Sequence, residues 1–304
     1  MKQRNLGGVL PASEISLGFW RVGGLEASAV RELVETAVEA GIDFFDTADI
    51  YAGGESETLL GGALKASGLR EQVLVQTKCG IRPGQYDFSK EHILSSVEGS
   101  LKRLQLDYLG VLLLHRPDTL MEPEEVAEAF QILHSQGKVR QFGVSNHKPQ
   151  QIALLQKYLP FKLLANQLQF SLTNTSMIDA GIHANMELDK ALDRDGAILD
   201  YCRLQDITIQ VWSPLRYGVF GGTFLDNYEV YPDLNEALDE LAAQKGVSKA
   251  AVAVSWILRH PAKMQVIAGT TNPQHLRELC KAGDISISRE EWYGLYLAAG
   301  NPLP

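Results

Sequence analysis

Residues 43–78 read DFFDTADIYAGGESETLLGGALKASGLREQVLVQTK. This stretch begins with the short apolar run DFFDTA at 43–48 and ends with VLVQTK at 73–78, and both runs have the length and composition of buried strands. Six more such runs occur along the chain: ISLGFW at 15–20, LGVLLLH at 109–115, VRQFGVSN at 139–146, KLLANQL at 162–168, ITIQVWS at 207–213 and QVIAGT at 265–270. Amphipathic segments separate the runs, so the pattern predicts eight strand–helix units.

Helix boundaries are marked by capping residues. Between residues 29 and 39, apolar side chains recur at helical spacing, with Ser28 as the predicted N-cap and Gly41 just past the end. Prolines mark the first turn of three later helices: Pro123, Pro149 and Pro273. Asn272 is predicted to cap the last of these.

Strands that alternate with helices form parallel sheets with right-handed crossovers. Eight such units in 304 residues predict one α/β domain over residues 1–304, a closed (β/α)8 or TIM barrel. A doubly wound open sheet is the alternative, and the lack of GxGxxG after the first strand disfavours it. Two long connections, at 171–188 and 214–235, are predicted to carry binding at the C-terminal face of the barrel.

Composition excludes several classes of function. The net charge is −9 and the lysines and arginines are scattered, which argues against a nucleic-acid partner. The three cysteines form neither a CxxC pair nor a zinc spacing, so we expect free thiols in a reducing compartment and no metal. The first residues lack a secretory signal, and no apolar run approaches the roughly 20 residues of a membrane span. We therefore expect a cytoplasmic protein that does not bind membranes.

Four polar residues lie at or just after the ends of predicted strands: Asp46, Tyr51, Lys78 and His115. Strand ends meet on one rim of a barrel, so we expect a proton-transfer site there. The Lys78 ammonium is expected to lower the pKa of Tyr51, the proposed acid, while Asp46 keeps Lys78 protonated. Each residue alone also fits a structural role, as a buried aromatic, an ion pair or a strand-capping histidine. Their occurrence together on one rim favours catalysis.

The motifs DTADIY, GESE, VQTK, LLLHRPD, GVSN, NQ, VWSPL and IAGT occur in this order between residues 15 and 280. Together they resemble the aldo-keto reductases, and the HRPD motif resembles a bacterial oxidoreductase branch of that family. The resemblance implies NAD(P)H-dependent, reversible reduction of an aldehyde or ketone to an alcohol. It implies that hydride comes from the nicotinamide, that the proton comes from Tyr51, and that His115 orients the substrate carbonyl.

The resemblance also assigns residues to the cofactor: Ser145, Asn146, Gln167, Trp212, Ser213, Leu215, Arg216, Gly269, Thr270, Arg277 and Glu278. Ser145, Asn146 and Gln167 would bind the carboxamide, and Trp212 would stack on the nicotinamide ring. Residues 213–222 would lie along the pyrophosphate. Strand-end hydrogen bonding, a core tryptophan and a flexible surface loop are the respective structural alternatives.

The adenosine end departs from the family pattern. Gly269, Thr270 and His275 stand where NADP-using relatives carry a lysine, a serine or threonine, and an arginine, and Leu279 replaces an asparagine. Two positively charged side chains that would bind a 2′-phosphate are therefore missing. Thr270, Arg277 and the helix beginning near Asn272 are expected to substitute in part. The family resemblance implies NADP, and these departures leave NAD or dual use open.

A small carbonyl compound is the expected substrate. Trp20, Arg21 and Phe220 are predicted to border its pocket. Two other functions remain open from the sequence. Some relatives of this kind are cofactor-sensing accessory proteins with weak turnover, and a barrel lyase or isomerase would use Lys78 as a Schiff base.

Overall fold

Eight parallel strands close into a barrel in the computed structural model, which describes residues 1–218 and 221–304. Numbered in chain order, the strands are β1 (Gln3–Leu6), β2 (Leu10–Ser13), β3 (Ile15–Gly18), β4 (Phe44–Asp46), β5 (Leu74–Cys79), β6 (Ile81–Arg82), β7 (Gln85–Tyr86), β8 (Leu109–Leu114), β9 (Val139–Ser145), β10 (Ala165–Gln169), β11 (Thr208–Trp212) and β12 (Gln265–Ala268). The barrel consists of β3, β4, β5, β8, β9, β10, β11 and β12 in that order, and β12 pairs with β3 to close it. The predicted (β/α)8 TIM barrel is confirmed.

Helices cover the outside of the barrel. They are α1 (Ala27–Glu39), α2 (Glu55–Ser67), α3 (Lys90–Leu104), α4 (Pro123–Ser135), α5 (Pro149–Gln156), α6 (Ser176–Ile182), α7 (Ile198–Leu204), α8 (Pro232–Lys245), α9 (Lys249–Leu258), α10 (Pro273–Cys280) and α11 (Arg289–Ala298). Among the described residues, no helix combines the length and the apolar character that crossing a membrane would require.

Most predicted helix boundaries are confirmed. The three prolines stand in first turns, and the Asn272 side chain accepts hydrogen bonds from the backbone nitrogens of Gln274 and His275. Gly41 follows α1 with a φ of +83°, which favours glycine. The prediction of Ser28 as N-cap is wrong: α1 begins at Ala27, so Ser28 already lies inside its first turn.

The predicted strand runs are right in position but often too long at the C-terminal end. The first run ends at Gly18 rather than residue 20, and the seventh ends at Trp212 rather than residue 213. The surplus residues leave the ladder and form the rim of the barrel. This matters for function because the rim carries the polar side chains.

An N-terminal hairpin closes the opposite end of the barrel and was not predicted. Leu6 and Ala12 of this β1–β2 hairpin are buried against Phe44, Val111 and Leu164. The sequence NLGGVL could have predicted this hairpin, because Gly7 and Gly8 adopt the positive φ that its turn requires.

Strand β8 is buried along its whole length, as expected for a parallel strand covered on both faces.

The two long connections follow β10 and β11, at the C-terminal face as predicted. Only the second contributes residues to the large cavity described below. In the first, Asp179 accepts hydrogen bonds from Tyr296 (2.7 Å) and Lys190 (3.0 Å), so within the described residues this connection is fastened to α11. The expectation that both connections line the site is therefore wrong for residues 171–188.

Candidate active site

The four rim residues predicted as a proton-transfer site lie together. The Lys78 Nζ donates hydrogen bonds to Asp46 Oδ2 (2.8 Å), to the backbone oxygen of Thr47 (2.7 Å) and to the Tyr51 hydroxyl (3.2 Å). The Tyr51 and His115 rings meet edge to face with their centres 5.8 Å apart. The residues come from the ends of β4, β5 and β8 and from the turn after β4, so barrel geometry assembles them.

Three non-glycine residues near this cluster have a left-handed backbone. Ala52, Asn146 and Ser213 have φ values of +49°, +61° and +51°, a region that non-glycine residues seldom occupy. All three line the same cavity. Such strain persists only where the surrounding structure enforces it, and it is typical of functional sites.

Asp46 is held by three buried donors. Besides Lys78, the Nε2 atoms of Gln76 and Gln167 donate to Asp46 Oδ1 at 2.6 Å and 2.9 Å. Charge-assisted hydrogen bonds of this kind stabilise the ionised carboxylate. The arrangement fixes the carboxylate that in turn fixes Lys78.

A chain of glutamines continues from this carboxylate through the barrel core. Gln76 Nε2 also donates to Gln210 (3.0 Å), Gln210 donates to Gln265 (2.8 Å), and Gln265 donates to the backbone oxygen of Ser13 (2.8 Å). This chain of glutamines was not predicted from the sequence. Its signal was a polar residue within each of three apolar runs, VLVQTK, ITIQVWS and QVIAGT.

Burial and charge set the protonation states of the cluster. Burial alone would lower the pKa of Lys78, but Asp46 and Tyr51 outweigh it, and the pKa is raised above its ordinary value. Burial raises the pKa of Tyr51, and this effect exceeds the lowering by the Lys78 charge. The expectation of a lowered Tyr51 pKa is therefore wrong, because burial of the phenol raises its pKa more than the Lys78 charge lowers it. The Tyr51 hydroxyl carries its proton at neutral pH.

His115 is neutral. Burial and the charges of Lys78 and Arg116 hold the pKa of His115 well below its usual range. Its Nδ1 is buried and has no hydrogen-bond partner among the described residues. A neutral imidazole at the edge of the cavity is suited to donating or accepting one hydrogen bond from a bound molecule.

One elongated cavity of about 1100 Å³ connects these residues with the adenosine end predicted from the sequence. The predicted residues that line it are Trp20, Arg21, Asp46, Tyr51, His115, Ser145, Asn146, Gln167, Trp212, Ser213, Leu215, Arg216, Gly269, Thr270 and Glu278. Arg277 does not line it, because its guanidinium pairs with Glu39 of α1 at 3.3 Å. Phe220 lies outside the described residues.

Amide and indole groups surround the middle of the cavity. Trp212 Nε1 donates to Asn146 Oδ1 (3.3 Å), and Asn146 Nδ2 donates to Ser145 Oγ (2.7 Å). The Nε2 of Gln167 donates to Asp46, which leaves Gln167 Oε1 as the acceptor that a ligand could use. A planar ring with a carboxamide fits this combination of an aromatic face and paired amides.

Two arginines, Arg21 and Arg216, also line the cavity. Burial lowers the pKa of Arg21, and the nearby charge of Arg216 lowers it further. Within the described part of the chain, neither guanidinium pairs with a carboxylate, and the Nε of Arg216 donates to the backbone oxygen of Gly221 (2.8 Å). An anion between the two guanidiniums would relieve their repulsion.

The far end of the cavity was only partly predicted. Residues 248–250, at the start of α9, line it together with Asp226 of the second long connection. Lys249 forms ion pairs with Asp226 and with Asp239 (3.0 Å), which raise its pKa well above the ordinary value even though burial opposes the shift. Through these ion pairs, Lys249 at the start of α9 is connected to the second long connection by Asp226 and to α8 by Asp239. No signal in the sequence distinguished Lys249 from other surface lysines.

Metal chemistry has no evident site here: in residues 1–218 and 221–304, no three His, Cys, Asp or Glu side chains have a metal-binding arrangement.

Comparisons with known proteins agree with this geometry. Residues 14–295 match the Aldo/keto reductase family. The chain is 36% identical to an uncharacterized oxidoreductase of Bacillus subtilis (strain 168), YcsN, over 100% of both proteins. It is 34% identical to a 6-dehydroglucose reductase of Agrobacterium fabrum (strain C58 / ATCC 33970), over 98% of each.

A solved structure extends the agreement to three dimensions. An aldo/keto reductase from Klebsiella pneumoniae, in complex with NADP and acetate, superimposes with a TM-score of 0.77. It is 25% identical, and the match covers 99% of this chain and 96% of that one. The sequence match over nearly the whole chain, the barrel and the rim cluster agree: the chain belongs to the aldo/keto reductase family of oxidoreductases.

Proposed function

We propose that this enzyme reduces an aldehyde or ketone to an alcohol with NADPH or NADH, and that Tyr51 donates the proton. The observation that carries the proposal is the buried Asp46–Lys78 ion pair beneath the Tyr51 hydroxyl, with neutral His115 beside it. Tyr51 and His115 both line the cavity of about 1100 Å³, a volume that has room for a dinucleotide.

The residues along the cavity fit a nicotinamide dinucleotide. Gln167 Oε1 and Asn146 suit the carboxamide, and the Trp212 ring suits the nicotinamide face. Arg21 and Arg216 both line the cavity, and their neighbouring positive charges suit a pyrophosphate, so we assign Arg21 to the cofactor rather than to the substrate. The backbone at Asn272, where α10 begins, suits an anionic or polar group of the adenosine half.

Each residue of the rim cluster has a distinct task. A reduced nicotinamide, when bound, supplies the hydride. Tyr51, protonated at neutral pH, gives its proton to the carbonyl oxygen, and the Lys78 ammonium stabilises the phenolate that remains. His115, as a neutral donor, orients the carbonyl. Asp46, fixed by Gln76 and Gln167, keeps Lys78 charged and in place.

The geometry disfavours a Schiff base at Lys78. All three of its donor positions are used, by Asp46, Thr47 and Tyr51, and the side chain is fully buried. Its raised pKa keeps the amine protonated, whereas a nucleophilic lysine must be neutral. Proton transfer through Tyr51 accounts for the same residues without that difficulty.

The pH dependence of reduction follows from these states. A general acid acts only while protonated, and the pKa of Tyr51 lies above its ordinary value of about 10. We therefore expect kcat/KM for reduction to be level from about pH 6 to about pH 9 and to fall only at higher pH. Steady-state rates across this range test the point. A decline centred near the ordinary His pKa of about 6.5 would mean that His115 titrates there, contrary to its environment.

Two substitutions test the nicotinamide end. Trp212→Ala removes a stacking face that contributes about 0.5–1.5 kcal/mol beyond burial, so we expect two- to about tenfold weaker cofactor binding. Asn146→Ala should also weaken binding by leaving the carboxamide unpaired. Quenching of protein fluorescence by NADPH measures both, and Trp292→Phe, a substitution in α11 outside the cavity, is the control. Parental affinity in both variants would contradict the assignment.

The proposed function itself is tested by titrating NADPH and NADH separately into the purified protein. Small carbonyl compounds are then screened with the cofactor that binds better. Since one relative is named a 6-dehydroglucose reductase, a sugar-derived aldehyde belongs in that panel. Binding of neither cofactor would refute the proposal.

A further inference from the structure

We propose that Arg116 binds a carboxylate of the substrate, so that the preferred substrates are carbonyl compounds that also carry a carboxylate. This inference rests on the proposed function, because it concerns the same cavity. It names the chemical class of the molecule that enters at the Tyr51 end.

The charges that line the cavity support it. Asp46 is paired with Lys78 and Asp226 with Lys249, while Glu278 accepts a hydrogen bond from Gln274 (2.9 Å). The remaining charged residues that line it are three arginines with no carboxylate partner among the described residues: Arg21, Arg116 and Arg216. Arg116 and Arg216 are partly buried, whereas Arg21 is exposed. A partly buried guanidinium without a carboxylate partner is unfavourable, so the positions of Arg116 and Arg216 are suited to an anion from a ligand.

The three guanidiniums divide into two groups. Arg21 and Arg216 are close enough for the charge of one to depress the pKa of the other. A pyrophosphate, with its two negative charges, matches that pair. Arg116 then has no anion of the cofactor to bind, because the nicotinamide end of the cofactor carries no further negative charge.

Arg116 lies beside the reacting groups. It follows His115 directly, and its guanidinium carbon is 6.0 Å from the centre of the Trp212 ring. Its charge contributes to the pKa values of both Tyr51 and His115. A carboxylate held there would lie a short distance from a carbonyl that Tyr51 protonates, and the planar guanidinium matches a carboxylate in two hydrogen bonds.

Apolar side chains complete this end of the cavity. Trp20 and Ile50 are 46% and 39% exposed, and Ile81 lines the same cavity. Exposed apolar surface around a binding site marks where a ligand covers it. The expected substrate therefore combines a carboxylate with an apolar body.

The test compares terephthalaldehydic acid with its methyl ester, two aldehydes of similar shape and reactivity. A charge-assisted hydrogen bond contributes about 1.5–3 kcal/mol, so we expect at least tenfold higher kcat/KM for the acid. Arg116→Met should bring the ratio of kcat/KM for the acid to that for the ester close to one, chiefly by raising KM for the acid. Arg116→Lys, which keeps the charge but loses the paired geometry, should retain part of it. Arg140→Met, on an exposed arginine of β9, is the matched control and should behave like the parent.

Other outcomes separate the two proposals. If the wild-type enzyme reduces the ester as well as the acid, the carboxylate proposal is overturned while the reductase function stands. The same holds if Arg116→Met impairs both aldehydes equally. If neither aldehyde is reduced, the proposed function loses support, and binding decides the carboxylate proposal. Benzoate should then bind the NADPH-loaded protein at least tenfold more tightly than benzamide, and equal affinities would overturn it.

Discussion

Tyr51→Phe is expected to lower kcat for carbonyl reduction at least a hundredfold, because general acid catalysis contributes roughly 10²–10⁴. The substitution keeps the ring that meets His115 and removes only the hydroxyl that Lys78 contacts at 3.2 Å. Cofactor affinity should barely change, since Tyr51 lies at the substrate end of the cavity. Steady-state kinetics and NADPH titration of the same preparation measure the two effects.

The matched control for this variant is Tyr86→Phe. Tyr86 lies in the exposed β6–β7 hairpin and does not line the cavity. Turnover within a few-fold of the parent in Tyr51→Phe would eliminate Tyr51 as the acid. An equal loss of cofactor binding would instead point to a structural role.

Gly269→Lys combined with His275→Arg is expected to tighten NADPH binding tenfold or more and to change NADH binding little. Each new cation can form a charge-assisted hydrogen bond with the 2′-phosphate, which contributes about 1.5–3 kcal/mol. The site accommodates a side chain, since a Cβ at Gly269 meets no atom within 4 Å and the backbone there is not left-handed. Before the substitution, discrimination between the cofactors should be smaller than in relatives with both cations.

Fluorescence titrations with both cofactors at two salt concentrations test this prediction. The gain should shrink with added salt, because the contact is near the surface. Arg277→Gln is the control: Arg277 pairs with Glu39 outside the cavity, so neither affinity should move. An equal effect of the double substitution on both cofactors would show that this segment does not face the 2′ position.

The same sequence pattern predicted both the barrel and the clustering of the four rim residues. Each of Asp46, Lys78 and His115 ends or follows an apolar run, and parallel strands in a barrel end on one rim. Local patterns therefore contained both the fold and the placement of these side chains. The prolines and Asn272 were equally visible because capping depends on near neighbours.

Contacts between distant segments were not visible in the same way. Arg277 lies only two residues after His275, which places it nearly on the opposite side of α10, and it pairs with Glu39, a partner more than 200 residues away. The glutamine chain requires four strands to align in register, which no single segment reveals. Burial raises the pKa of Tyr51 and the Lys78 charge lowers it. Which effect is larger depends on how deeply the phenol is buried, and burial is known only from the folded structure.

The most direct test of the account is the stoichiometry of one reaction, followed by loss of the reduced-nicotinamide absorbance and by the alcohol formed. We predict one alcohol for each NADPH or NADH oxidised by the wild-type enzyme, with the rate lost in Tyr51→Phe. Borohydride added during turnover should leave Lys78 unmodified in the mass spectrum. Consumption of the carbonyl compound without cofactor oxidation, with a borohydride-trapped adduct on Lys78, would contradict it.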